Sequence, residues 1–384
     1  MVSRLKAGTE AKREHLRRAL GILQSQTNLD DLRRKIATSR TTWLVAGLVD
    51  ELDQIHQTPP IPPEFNVIAT DGSHIDVDRH RAARCYLINI GSVIFSYGTT
   101  PEATLRSYPS LYSVDDDLVI TPTDVKGREQ FIERGLLGIK RGVDECHQLA
   151  KLATEVPLDT PILALLDGSL ILWGLEAYPE FVTEALLTAG FLRYLGEMEE
   201  LNNNRRLALA SYISFPRSTD VVNALRVAIC PHDPADCDRY CPPGKELGCD
   251  AVAGVQDKDL FYNILNQGER SAVFISQSSI VRKRYGEHQI HFFYLKVDDE
   301  IARVEIPRWV ARDNQLLNLT HALVLDQCRR GQGYPVALSE SHEQAVVTNA
   351  DKANFWQLVE VSLADENLST LASAKSRSKR TRWV

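Results

Sequence analysis

Phe65-Asn-Val-Ile-Ala-Thr-Asp71-Gly72-Ser73 and Pro161-Ile-Leu-Ala-Leu-Leu-Asp167-Gly168-Ser169-Leu170 end in the same tripeptide, Asp-Gly-Ser, each at the exit of an apolar run. Runs of this length, rich in aliphatic side chains and closed by glycine, read as buried strands. A carboxylate at the end of a rigid strand keeps its oxygens in a fixed place. Two such carboxylates on neighbouring strands can hold divalent cations, because hard cations prefer oxygen ligands. Asp-Gly is also ordinary turn chemistry, so one copy alone would indicate a turn. Two copies with matched flanks indicate a site.

Upstream, residues 3–57 are rich in Leu, Ala, Arg, Lys, Glu and Gln, with Leu16, Leu20 and Leu23, then Leu44, Leu48 and Leu52, at helical spacing. Asn28-Leu-Asp-Asp31 reads as a break with N-capping chemistry, and Pro59, Pro60, Pro62 and Pro63 end a helical arm over residues 1–60. Downstream, the pattern predicts strands over 83–90 and 92–97 with a bend at Gly91, and a proline-free helix over 126–153. A strand over 162–167, a helix over 179–201 and a strand over 207–215 follow. Further strands are expected over 271–276, 289–297 and 301–306, the last two as a hairpin about Asp298-Asp299. A helix over 314–330, a short strand over 334–338 and a helix over 340–348 complete a core spanning 61–350, with a C-terminal helix and basic tail over 351–384. Asp71 thus ends the first strand, a hairpin comes next, and Asp167 ends the strand after the long helix. That order is the layout of a ribonuclease H-like α/β fold, a mixed sheet flanked by helices, with the two carboxylates side by side.

The 384 residues, 43% hydrophobic and 25% charged, have the make-up of an ordinary soluble globular protein. No apolar run reaches the ~18 residues of a membrane span, and the first ten residues carry no apolar stretch behind their charges, so a cytoplasmic location is expected. A net charge of −7 advertises no broad basic field. Local clusters remain: Arg282-Lys283-Arg284, Arg329-Arg330, the spaced Arg303, Arg308 and Arg312, and the tail Lys375-Ser-Arg377-Ser-Lys379-Arg380-Thr-Arg382. Each can meet phosphate or simply be solvated.

Cys230, Cys237, Cys241 and Cys249 place four of the seven cysteines in a Pro- and Gly-rich insertion over 228–255. Four thiolates in such a loop suit a structural Zn²⁺ site or an iron–sulfur cluster, and incidental thiols are the plain alternative. The gaps of six, three and seven residues do not form a paired Cys-X2-Cys ribbon. Cys85, Cys146 and Cys328 sit in apolar surroundings and read as core.

Four stretches in order carry a resemblance: Ala69-Thr-Asp71-Gly-Ser73, Leu165-Leu-Asp167-Gly-Ser-Leu170, Ala302-Arg-Val-Glu-Ile-Pro-Arg-Trp-Val-Ala311, and Gly333-Tyr334-Pro-Val-Ala-Leu-Ser-Glu-Ser-His342-Glu-Gln-Ala345. Together they resemble the NurA nuclease family, whose members process DNA ends beside the HerA hexameric ATPase. The resemblance implies a ribonuclease H-like core, a centre dependent on Mn²⁺ or Mg²⁺, and homodimers that dock on the ATPase ring. It carries Asp71 and Asp167 over as metal-binding carboxylates, His342 as the late histidine and Tyr334 as its accompanying tyrosine. It also calls for a glutamate on the helix before the second tripeptide, for which Glu129, Glu133 and Glu145 compete. Glu145 is preferred because it shares a stripe with Leu149 and Leu152, at i+4 and i+7, that faces the sheet; an ion pair with Arg141 on a wet surface is the plain alternative. Glu305, before Pro307, reads as a structural strand ending, with Arg303 and Arg308 beside it as backbone contacts.

The function expected is a metal-dependent DNA nuclease acting at ends or single strands in double-strand-break repair. A non-catalytic DNA-binding or ATPase-docking subunit, and a ribonuclease H-like enzyme acting on RNA or hybrid, are the alternatives.

Overall fold

The computed structural model describes residues 2–25, 28–78, 83–122, 128–157, 159–242, 244 and 247–366. Helices α1 (Val2–Ser25) and α2 (Leu29–Thr38) open the chain, the second capped by Asn28. Strands β1 (Phe65–Ile75), β2 (Tyr86–Tyr97) and β3 (Glu102–Tyr112) follow, then helix α3 (Gly135–Glu155) and strand β4 (Ile162–Asp167). After a helical run over 180–202 come β5 (Leu207–Ile213), α4 (Asp220–Ala228), β6 (Ile290–Val297) and β7 (Glu300–Pro307). Helices α5 (Asn314–Arg330), α6 (Val336–Ala345) and α7 (Asn349–Asp365) end the described chain. The basic tail lies outside the described residues.

The chain divides into two units, one of residues 63–166, 172–205 and 337–384, the other of 1–62, 167–171 and 206–336. In the first, the strand order is β4-β1-β2-β3, with β4 parallel to β1 and the other pairs antiparallel. β4 is apolar and buried over five successive residues, the habit of a strand covered on both faces. α3 buries Leu136, Val143, Leu149 and Leu152 and is tied to β1 where Thr70 Oγ1 donates to the Glu145 carbonyl at 3.0 Å.

Three expectations change here. β1 does not stop at Asp71; it pairs with β2 as far as Ile75, so Asp71 lies within a strand. β2 is one strand, not two with a bend at Gly91. A Cβ at Gly91 would lie 2.1 Å from the Ser341 carbonyl oxygen and 2.4 Å from the Ala345 nitrogen, so glycine serves the seating of α6. β3 escaped the sequence reading because it is mostly exposed and carries Pro109, features of an edge strand with no apolar alternation to reveal it.

In the other unit, β5, β7 and β6 lie in that order and all pairs are antiparallel. β6 and β7 form the expected hairpin, turning at Asp298 with φ 47°. Leu23 of α1 and Leu32 of α2 share one core with Val222, Leu225, Phe261, Phe274, Phe292 and Tyr294, so the two N-terminal helices pack on this sheet. The helical arm expected to run to residue 60 stops at Thr38. Leu48, at helical spacing in the sequence, enters the same core from a short strand, Gly47–Leu48, paired with Phe274–Ile275. Among the described residues no helix is long and apolar enough to cross a membrane.

Candidate functional site

Asp71 and His342 meet. The Nδ1–H of His342 donates to Asp71 Oδ2 at 2.6 Å, with the carboxylate largely covered and the imidazole more than half exposed. The local fold explains the meeting. Asp71 is in register with Gly91 on β2, and directly opposed residues point to the same face. Because Gly91 has no side chain, α6 settles onto that face and delivers His342 to the carboxylate. Asn89, two residues along the same face, fixes the far end of the helix by donating through Nδ2 to the carbonyls of Gln344 (3.2 Å) and Ala345 (2.9 Å).

Asp167 and Tyr334 meet as well. The Tyr334 hydroxyl donates to Asp167 Oδ1 at 2.9 Å, and its ring packs edge-on against Tyr212 with centroids 5.5 Å apart. Tyr334 is not at a strand start as expected. It ends a tight turn through Gly331, Gln332 and Gly333, and α6 begins at Val336. The run Tyr334-Pro-Val-Ala-Leu338 is too short for periodicity to separate strand from helix, and Pro335 just before the helix suits a helix entry.

The turn after Asp167 is held by a residue that the sequence reading set aside. Glu305 Oε2 accepts the Ser169 hydroxyl at 2.8 Å and the Leu170 amide at 2.9 Å, and Oε1 accepts Arg303 Nε at 2.9 Å. Arg303 also donates to Asp220 Oδ2 at 3.0 Å. Both Arg303 and Glu305 are buried, so Arg303 is an internal counter-ion and not a contact for nucleic-acid backbone. Burial by itself depresses the guanidinium, but Glu305, Tyr294 and Asp220 more than reverse this and hold its pKa above the ordinary value. Arg308 pairs with Glu287 at 2.7 Å. The signal available in sequence was the alternation Arg303-Val-Glu305, charges spaced by two in the otherwise apolar stretch Ile301–Pro307.

Of the three competing glutamates only Glu145 lies on α3. Glu129 and Glu133 precede the helix, which starts at Gly135 after Arg134 adopts φ 54°. Absence of proline extended the sequence reading too far. The Glu145 side chain is covered, lies beside Arg141 (3.0 Å), and reaches the strand at Gly72, where a Cβ would stand 2.6 Å from its Oε1. It therefore approaches β1 from the face of Gly72, while Asp71 projects from the alternate face. Gly168 differs from Gly72: its φ of 83° is a left-handed conformation with open space around it.

Each pair, carboxylate with imidazole at Asp71–His342 and carboxylate with phenol at Asp167–Tyr334, offers donors of a kind that suits a borderline-hard ion such as Mn²⁺. Among the described residues, however, no three His, Cys, Asp or Glu side chains already stand as a metal-holding group. The fit is one of chemistry, carried by the short Asp71–His342 contact.

The cysteine insertion is folded. Cys237–Tyr240 forms one helical turn, so Cys237 and Cys241 stand one turn apart, with the Cys241 amide on the Cys237 carbonyl at 3.1 Å. The Cys241 thiol is held above its ordinary value by burial first, then by Cys237, Cys249 and Cys230. Cys85, Cys146 and Cys328 are buried as expected.

Comparison with known proteins places these residues in context. The family model described as the NurA domain matches residues 65–347. No curated protein matches the chain. Among solved structures the chain is similar to the protease-reverse transcriptase of prototype foamy virus (native), at 12% identity and a TM-score of 0.21. That match covers 41% of this chain and 19% of the other, a likeness too small to carry any argument.

Proposed function

The chain belongs to the NurA family, a nuclease family associated with the HerA ATPase, and from that premise we propose that it is a metal-dependent DNA nuclease. It hydrolyses phosphodiester bonds at DNA ends or in single strands, in double-strand-break repair, as a homodimer beside a HerA-type hexameric ATPase. The order β3-β2-β1-β4, with an antiparallel meander followed by a helix and a parallel strand, supports a ribonuclease H-like core.

One observation carries the reading. The parallel register of β1 and β4 ends at Thr70↔Leu166, so Asp71 and Asp167 are the next residues along their own strands. Asp71, Asp167 and His342 are the proposed ligands of Mn²⁺ or Mg²⁺, with Tyr334 as an accompanying site residue. Glu145, called for by the resemblance, reaches β1 on the Gly72 face, opposite Asp71, and is not part of the proposed ligand set. A divalent cation bound there supplies neutralisation of the scissile phosphate and an acidified water. The chain's own groups do the rest. With its Nδ1–H given to Asp71, His342 keeps Nε2 as a proton acceptor toward solvent, the tautomer following from that hydrogen bond. The Tyr334 hydroxyl fixes the orientation of the Asp167 carboxylate, and Glu305 fixes the backbone that follows it.

The test is digestion of end-labelled single-stranded DNA, duplex DNA and RNA–DNA hybrid with Mn²⁺ or Mg²⁺. DNA cutting that requires the cation and disappears in Asp71→Asn and in Asp167→Asn, with unchanged circular dichroism, is the expected result. Undiminished cutting by both variants removes the proposed centre. Cutting of hybrid alone assigns the chain to RNA chemistry, and no cutting by the wild-type protein leaves a binding subunit.

A further inference from the structure

We propose that Cys230, Cys237, Cys241 and Cys249 form a structural site for a thiophilic metal, a Zn²⁺ ion or an iron–sulfur cluster held by four thiolates. This inference is independent of the nuclease reading.

The first argument is convergence. Cys237, Cys241 and Cys249 line one cavity of about 370 Å³ together with Arg226 and Trp43. Cys230 packs against the same small core of Val45, Ala224, Val227 and Ala235 as Trp43, which lines that cavity. Cys230 enters from the end of α4, where its amide donates to the Val227 carbonyl at 3.2 Å. Four side chains separated by up to nineteen positions thus come to one place.

The second is charge. Four thiolates around Zn²⁺ leave a net charge of −2, which needs a nearby cation and N–H donors to sulfur. Arg226 meets both needs, with Nη2 3.8 Å from Cys249 Sγ and 3.2 Å from Asp250 Oδ1, and its guanidinium 4.4 Å from the Trp43 ring centre.

The third is what the loop lacks. Among its described residues over 230–249, only Ala235 and Cys249 are buried. Even so the loop keeps a defined path, stitched to the segment after α2. The Arg40 amide donates to the Ala235 carbonyl at 2.8 Å, the Cys237 amide to the Arg40 carbonyl at 2.9 Å, and Arg34 pairs with Asp233 at 2.6 Å. So little apolar burial cannot offset the entropy of ordering such a loop, whereas metal–thiolate bonds can. The sulfurs do not yet stand at coordination spacing, so binding requires the thiols to lose their protons and turn inward.

The test uses the full chain, expressed with zinc and iron supplied, purified without oxygen and dialysed against EDTA to strip weakly held oxygen-bound ions. Zinc, iron and acid-labile sulfide are then measured per chain. About one equivalent of zinc without colour assigns the ion; iron with matching sulfide and broad visible absorption assigns the cluster. Cys237→Ser/Cys241→Ser should retain under a tenth of that metal, and Cys85→Ser/Cys328→Ser all of it. Should the first variant fail to fold, the wild-type protein still decides the matter, because mercurial titration should release the metal in step with four thiols. The proposal is overturned by a folded wild-type chain that holds no metal after dialysis and shows no thiolate-to-metal absorption on adding Co²⁺.

Discussion

Glu305 holds Ser169: one carboxylate oxygen on β7 accepts the serine hydroxyl at 2.8 Å and the following amide, Leu170, at 2.9 Å. The second Asp-Gly-Ser is therefore anchored from a strand far along the chain, and that anchor is braced by Arg303 and Asp220. A carboxylate such as Asp167 is only as well placed as the backbone that follows it.

Glu305→Gln should break this anchor. An amide cannot accept from Ser169, Leu170 and Arg303 at once, and a buried guanidinium loses a counter-charge. The expected loss of stability is about 3 kcal/mol, read as a lower urea midpoint. Cutting under conditions where the variant stays folded should fall roughly a hundredfold, the cost of an ångström's misplacement. Wild-type midpoint and wild-type cutting together would show the anchor to be dispensable.

Gly91→Ala should unseat α6. The new methyl meets backbone atoms of Ser341 and Ala345, which cannot rotate aside, so overpacking of about 1–3 kcal/mol is expected. Faster amide hydrogen exchange over α6, with separation of His342 from Asp71, is the corresponding readout. Unchanged exchange there would contradict the close approach.

Gly72→Ala and Gly168→Ala should separate the two tripeptides. At position 72 the methyl meets Glu145 Oε1 and the Arg141 stem, flexible groups that can turn away. The stability cost should stay under about 1 kcal/mol, and in a double-mutant cycle most of it should vanish when Glu145 is also Ala. At position 168 nothing is in the way, but the left-handed backbone should cost about 1–2 kcal/mol, with no coupling to Glu145. Equal behaviour of the two variants in the cycle would refute the distinction.

Stability should fall in mild acid. Burial pushes the pKa of His291 and of His321 down to about 4, against roughly 6.5 in an unfolded chain. Between these values the unfolded state binds more protons, so each contribution is complete above pH ~6.5 and is lost as pH falls toward 4. Each is worth on the order of 3 kcal/mol. Asp257 works in the opposite sense, since burial, with Asp220 next, raises its carboxyl. Urea midpoints at neutral pH and near pH 4.5 should show the net loss, and His321→Gln should shrink it. A midpoint that does not move between the two pH values would rule out buried neutral histidines.

The hairpin about Asp298, the strand leading to Asp167 and the helix over 314–330 were legible because runs of apolar residues with strand or helix period are local signals. Boundaries set by packing were not. Nothing local shows that β1 continues through Asp71 to Ile75, because its partner β2 supplies those hydrogen bonds. The edge strand β3 has no buried face to pattern. Tyr334 looked like the start of a strand until the Gly331–Gly333 turn and α6 fixed its place.

By itself the sequence determined the chemistry on offer: two acidic strand segments, a late tyrosine and histidine in family order, and a knot of cysteines. These follow from residue type and spacing, which the chain carries in one dimension. Tertiary structure alone decided that His342 pairs with Asp71 and Tyr334 with Asp167, and that Glu305 faces inward to hold a turn while Arg303 is spent on it. Those choices depend on which face of a strand is covered and by what. A side chain's partners across a sheet are set by register and packing, and no local pattern encodes either.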